Sequence, residues 1–131
     1  MERIRKNYIC KKQVKKGISG MKELVKNFKN GTSIALMIDQ RVSEGIYSIF
    51  FKQKALTTTI PAQFVKKYGA HVVPIYIERI GENKFKIHIF KSIEFSQNEK
   101  LENITNSLNQ TLEEMILKNP EQWIWTHNRW K

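Results

Sequence analysis

Cysteine is almost missing from this chain. Cys10 is the only one among 131 residues, so no internal disulfide can form, which suits a reducing compartment. No apolar run approaches the ~18 residues that a membrane-spanning helix needs. The opening M-E-R-I-R-K-N-Y-I-C-K-K is basic and lacks the apolar segment of a signal peptide. Repeats, low-complexity tracts and linkers are absent, and the length is that of one domain, residues 1–131. Several chemistries lack their signatures too. No Ser-His-Asp pattern, HExxH, paired cysteines or glycine-rich phosphate loop occurs, so the sequence calls for no metal and no cofactor. Of the three histidines, His71 and His88 have Tyr76 and Ile93 five positions on, and the chain ends before that point after His127, so none begins an His-x4-acid motif.

Acidic residues are scarce as well: 12 Asp and Glu stand against 23 Lys and Arg, a formal net charge of +11. The imbalance is concentrated, since residues 1–30 hold ten basic side chains against only Glu2 and Glu23. A cationic face seeks phosphates, acidic proteins, nucleic acid or an anionic bilayer. Helix-turn-helix, zinc-finger and RNP patterns are all missing, which counts against nucleic acid.

What is present is organised around Ile34 to Phe64. The apolar run Ile34–Ile38 reads as a strand buried on both sides, and it delivers Asp39 and Gln40 at its end, where α/β proteins place polar chemistry. A turn at Gly45 comes next, then a short aromatic segment, Tyr47 to Phe51. Thr57, Thr58 and Thr59 precede Ile60-Pro61, which predicts a hydroxyl-capped helix start, with Phe64, Val65 and Tyr68 inward and a stop at Gly69. Upstream, residues 1–16 show no clean period and read as loop or a short strand. Ile18, Met21, Leu24, Val25 and Phe28 predict a helix closed by Asn30-Gly31. Downstream, His71–Ile80 predicts a second strand with an edge or bulge at Pro74. The alternation of Phe85, Ile87 and Ile89 with Lys86 and His88 predicts an antiparallel partner with one buried face. Leu101, Ile104, Leu108, Leu112, Met115 and Ile116 mark a long amphipathic helix that Asn119-Pro120 ends. The last eleven residues, E-Q-W-I-W-T-H-N-R-W-K, hold all three tryptophans. Such a mix of rings and cations fits a nucleobase stack, a bilayer interface or a packed C-terminal arm. The expected fold class is α/β: a mixed sheet flanked by helices, with a βαβ unit and an antiparallel addition.

Each polar candidate carries a bland alternative. Asp39 either orients a catalytic group or caps backbone amides. One of the three threonines is accounted for by capping, and the others are free to line a phosphate or acyl pocket. His71 and His88 read as structural.

Taken together, D-Q-x4-G-x4-F-F (Asp39, Gln40, Gly45, Phe50, Phe51), A-L-T-T-T-x-P-A (Ala55 to Ala62), G-A-H-V-V-P-I-Y-I-E-R (Gly69 to Arg79) and N-P-E-Q-W-I-W-T-H-N-R-W-K (Asn119 to Lys131) resemble the C-terminal half of the bacterial lipid A biosynthesis (lauroyl/myristoyl) acyltransferases, within the lysophospholipid acyltransferase-like superfamily. K-G-I-S-G-M-K-E-L (Lys16 to Leu24) fits that family's K-G-x-x-G-x-R-E-L, with Lys22 where Arg is common. The resemblance implies a partial acyltransferase-like α/β sandwich, peripheral on the cytoplasmic face of the inner membrane. The implied reaction moves a fatty acyl chain from acyl carrier protein to a hydroxyl of a lipid A precursor. The family's base is the histidine of an His-x4-Asp/Glu motif, which this sequence lacks, so the chain is expected to be a fragment, inactive alone: half of a split enzyme whose other chain supplies the N-terminal half, a gene remnant, or a truncated piece. The strand ending in Asp39 is expected to lack a neighbour that the other half provides, leaving an exposed edge or apolar patch. The residues implied are Asp39 and Arg5 (with Arg3 the alternative) for catalysis. Gln40, Thr57, Thr58, Thr59, Arg79, His127 and Arg129 are implied for the substrate. The competing readings are a non-catalytic lipid- or carrier-protein-binding module and a basic nucleic-acid binder.

Overall fold

The computed structural model describes residues 2–8, 12–14 and 17–130, with the side chains of Glu2, Arg5 and Lys6 outside that set. Two compact units divide it, Met1–Leu36 and Met37–Lys131. The first unit holds helices α1 (Glu2–Tyr8) and α2 (Ile18–Lys29). A helix at α1 replaces the loop or strand expected there. Residues alternating between charge and apolarity, as Ile4 does among its basic neighbours, carry too weak a period to announce a single short helix. In α2 the anticipated stripe is present: Met21, Leu24, Val25 and Phe28 are partly covered, and Ile18 is exposed. Asn30 caps it and Gly31 turns the chain, with Lys26 and Lys29 in the last turn opposite the carbonyl end of the helix dipole.

The second unit runs hairpin, helix, hairpin, helix. Strands β1 (Ile46–Phe50) and β2 (Gln53–Thr57) pair antiparallel, from Ile46 against Thr57 to Phe50 against Gln53. Helix α3 (Ile60–Tyr68) leads to β3 (Ile75–Arg79) and β4 (Phe85–Ile89), also antiparallel, and α4 (Leu101–Ile116) comes after them. Two short 3-10 turns, Pro120–Gln122 and Trp125–His127, form the C-terminal arm. The class is α/β, with helices against strands. Among the described residues its strands form two separate two-stranded sheets, so the expected βαβ crossover is not found there.

The reason lies in Ile34–Ile38, which forms no strand. A ladder needs a neighbour to take up its N–H and C=O groups, and among the described residues this run has none. Leu36 and Met37 are accordingly exposed. The aromatic strand β1 instead pairs with β2, its neighbour in the chain, through a two-residue turn at Phe51 and Lys52, both at positive φ (47° and 62°). Phe-Lys is not a sequence that announces such a turn. It is held from outside, since the Phe51 N–H donates to Glu113 Oε1 of α4 at 2.8 Å and the Phe51 ring packs against Phe50 and Trp125. Gly45 closes the hairpin's open end: a Cβ there would sit 2.1 Å from the Thr57 carbonyl oxygen.

Helix α4 is the centre of the core. One part of its buried stripe, Leu112 and Ile116, packs on Phe50 and Ala55 of the first hairpin; another, Ile104 and Leu108, packs on Ala62 and Val65 of α3. Gly69, at φ 63°, stops α3 as its sequence predicts. By contrast, Phe85, Ile87 and Ile89 do not face the core. They are 56%, 62% and 71% exposed, and Ile75 and Ile77 beside them 55% and 58%, so the face predicted to be buried is open. The alternation is real, but nothing in the described residues covers it.

Candidate functional site

The C-terminal arm brings several of the predicted residues together. Trp123 and Trp130 pack around Phe50 at ring distances of 5.8 and 5.6 Å, and the Trp130 indole N–H donates to the Phe50 carbonyl at 2.9 Å. The arm is therefore fastened to the first hairpin, and of the three tryptophans Trp125 is the exposed one, at 45%, with its ring against Trp123 and Phe51. Between the arm and the residues after Ile38 lies a cleft of about 80 Å³, lined by Asp39, Gln40, Trp123, Ile124 and His127. The Arg41 N–H donates to His127 Nε2 at 3.0 Å, which leaves the neutral ring's proton on Nδ1. Asn128 takes a left-handed conformation (φ 42°), tolerated by asparagine, and so turns the chain between an exposed His127 and a buried Arg129.

Arg129 does not line that cleft. It is 1% exposed, with its guanidinium donating to the Leu56 carbonyl (2.6 Å) and to Thr57 Oγ1 (2.9 Å) and lying 5.4 Å from the Phe50 ring centroid. Burial pushes the guanidinium below its ordinary value, and the Asp39 carboxylate partly opposes that. Asp39 thus faces two things, the small cleft and a buried cation.

Of the threonines, Thr57 is buried at the end of β2. Its hydroxyl donates to the Ala55 carbonyl and accepts from Arg129 and from Asn109 Nδ2. Thr58 Oγ1 accepts the Ile60 N–H at 3.3 Å, and Thr59 Oγ1 accepts from Gln63 Nε2 at 2.8 Å. All three serve the strand-to-helix junction and none lines the cleft. Arg79 also lies outside it, exposed on β3 with its guanidinium 5.1 Å from the Phe85 ring. Arg5 falls within α1, and its side chain lies outside the described residues, as do Cys10 and Lys16.

Sequence reasoning missed the polar support under the site. Asn109 is fully buried in α4 and donates to Ser48 Oγ, to the Ile49 carbonyl and to Thr57 Oγ1. An asparagine inside the apolar stripe of α4, beside Leu108, was the available signal. Missed as well was a cluster on the second hairpin, where His88 Nε2 meets Glu78 Oε2 at 2.8 Å and Asn119 Nδ2 donates to Glu78 Oε1 and Tyr76 Oη at 3.1 Å each. The hydrogen bond from His88, then that from Asn119, holds the Glu78 carboxyl below the usual range. A larger cleft, about 230 Å³, is lined by Val65, Gly69, Ala70, His71, Ile93, Glu94 and Phe95. It contains none of the predicted substrate residues. No group of three or more potential metal ligands occurs among the described residues.

An Asp-Gln pair held against a tryptophan-rich arm with an inward arginine joins the D-Q block to the C-terminal N-P-E-Q-W block of the sequence. The family model of bacterial lipid A biosynthesis acyltransferases matches residues 3–131. The chain belongs to that family. No curated protein matches it. The family match spans both units, α1 and α2 as well as the site. Among the described residues no helix is long and apolar enough to cross a membrane.

Proposed function

We propose that this chain takes part in transferring a fatty acyl group from acyl carrier protein to a hydroxyl of a lipid A precursor, with Asp39 and Gln40 at the reacting end of the site. The observation that carries the reading is the convergence of Asp39, Gln40 and His127 on one cleft in a member of this family. The cleft's size limits what it does. Liquid water occupies about 30 Å³ per molecule, so roughly 80 Å³ admits a hydroxyl, a thioester oxygen or a few waters, not an acyl chain. It is an end-pocket of mixed lining, polar at Asp39, Gln40 and His127 and apolar at Trp123 and Ile124, and in this reading the acyl chain lies elsewhere.

The chemistry requires a base to take the acceptor hydroxyl's proton as its oxygen attacks the thioester carbonyl. Residues 1–131 offer no His-x4-Asp/Glu, so in this reading the base lies outside them, and Asp39 orients it and balances its positive charge. His127 binds the acceptor's polar groups beside Gln40, while Arg129 and Thr57 position Asp39 and the strand end behind it. Arg79, Thr58 and Thr59 act at most as remote substrate contacts, and Arg5 as a further catalytic group. The ten cations of residues 1–30 would favour an acidic carrier protein and the anionic cytoplasmic face of the inner membrane. In this reading nucleic acid is not a partner.

The test is acyl transfer from labelled acyl carrier protein to lipid A precursor. It is measured for this chain alone and mixed with a polypeptide carrying the His-x4-Asp/Glu segment of a family member. Turnover only in the mixture is expected. No turnover in either, with salt-sensitive binding to anionic vesicles intact, would replace this reading with a non-catalytic binding module.

A further inference from the structure

We infer that the outer edge of β4 is a docking site for another polypeptide, one that adds an extended strand in which apolar and acidic residues alternate. This stands apart from the acyl-transfer reading and would survive its failure. The β3–β4 ladder fixes which backbone groups are already used. Phe90 N–H donates to the Pro74 carbonyl and Ile80 N–H to the Lys84 carbonyl, so the even-numbered residues of both strands face each other. The N–H and C=O groups of Phe85, Ile87 and Ile89 therefore point outward from β4, and among the described residues no protein group meets them. The β3 edge differs: there the Gln122 side-chain amide already occupies Arg79, accepting its N–H at 2.8 Å and donating to its carbonyl at 3.0 Å. The β3 edge is closed at Arg79, whereas the β4 edge is open at all three outward residues.

The face and the flanks of β4 specify what could add there. On one face Phe85, Ile87 and Ile89 join Ile75 and Ile77 in an apolar patch more than half exposed at every position. On the other, Lys84 and Lys86 flank Phe85; Glu78 lies across the ladder from Lys86 on the β3 side, and toward the open edge β4 itself contains no acid. Directly opposed cross-strand pairs decide compatibility. An added strand thus needs apolar side chains over Phe85, Ile87 and Ile89 and carboxylates against Lys84 and Lys86. A second copy meets the apolar requirement but brings no carboxylate to Lys84 and Lys86, between chains that each carry +11. A bilayer meets it too, yet offers hydrocarbon to a row of unpaired N–H and C=O groups, which open sheet edges do not tolerate. An acidic, strand-forming polypeptide satisfies the backbone, the apolar face and the lysines together.

The test is amide hydrogen exchange by NMR on the full chain. The probe is a short capped peptide of alternating valine and glutamate, with a valine–lysine peptide as its counterpart. The outward amides of Phe85, Ile87 and Ile89 should slow by roughly tenfold or more with the acidic peptide and not with the basic one. The inward amides of Lys86 and His88 report that the hairpin is intact. Ile87→Pro, which removes an outward N–H and no ladder bond, should abolish the effect with the hairpin retained. The double variant Lys84→Glu, Lys86→Glu should transfer the preference to the basic peptide. The inference is overturned if neither peptide slows these amides, if both do so equally, or if phosphatidylglycerol vesicles or rising chain concentration slow them instead.

Discussion

Arg129 shows how a charge can be structural at the residue scale. Its guanidinium ties the C-terminal arm to the end of β2 through the Leu56 carbonyl and Thr57, with Phe50 beneath it. Removing it would take the guanidinium donors from the Leu56 carbonyl and from Thr57 Oγ1, which keeps only Asn109's, in a site closed to water. Arg129→Ala should therefore destabilise the second unit by about 3 kcal/mol, the scale of a lost pair of charge-assisted hydrogen bonds, read from urea unfolding. Arg129→Lys should recover little, because an ammonium cannot span both acceptors as the planar fork does. Glu78 supplies a pH prediction. Its carboxyl is held low by His88 and Asn119. A carboxyl whose folded pKa is depressed contributes stability that is fully present above its unfolded value and disappears as pH falls through the folded one. Protection of the inward β3–β4 amides should accordingly weaken on acidification below the ordinary carboxylate range. Glu78→Gln should flatten that acid limb; an unchanged pH profile would mean the pair does not support the hairpin.

Elements here divide into those that their own residues specify and those imposed from outside. Helices α2, α3 and α4 are legible because period and end signals lie in or near each segment: Asn30-Gly31, Pro61 and Gly69, and Asn119-Pro120. Even so, α4 already ends at Ile116, and the expected hydroxyl cap of α3 is not made by Thr59, whose Oγ1 takes Gln63 Nε2 instead. The β1–β2 turn is not, since its positive φ angles at Phe51 and Lys52 depend on Glu113, some sixty residues away. Left-handed backbone costs a non-glycine residue about 1 kcal/mol. Part of that is offset by the freedom glycine adds to the unfolded chain. Lys52→Gly should thus stabilise the protein by about 0.5 kcal/mol, seen as a higher urea midpoint at unchanged slope. A lower midpoint would mean that the Lys52 side chain contributes something the turn geometry does not reveal. The run Ile34–Ile38 misleads for the opposite reason: a strand's pattern is present without a ladder partner. The second hairpin's alternation is legible and its burial is not, because a sequence marks which face is apolar and not whether anything covers it.

At the scale of the molecule, the candidate site is half legible. Asp39, Gln40 and His127 share a cleft although 83 residues lie between Asp39 and the start of Trp123–His127. Family blocks announce both ends of that pairing; periodicity alone announces neither. Thr57, Asn109 and Arg129, by contrast, carry the buried polar framework beside the cleft, where a sequence gives polar residues no sign of burial. Asp39 is the group on which acyl transfer depends in this account, and the others are its support. The measurement that tests this most directly is turnover of Asp39→Asn in the mixture with the His-bearing polypeptide. The isosteric change keeps the cleft and removes the charge, and turnover should fall by roughly 10²-fold with acyl carrier protein binding unchanged. Turnover equal to that of the unsubstituted chain, with the variant shown to be folded, would contradict the account.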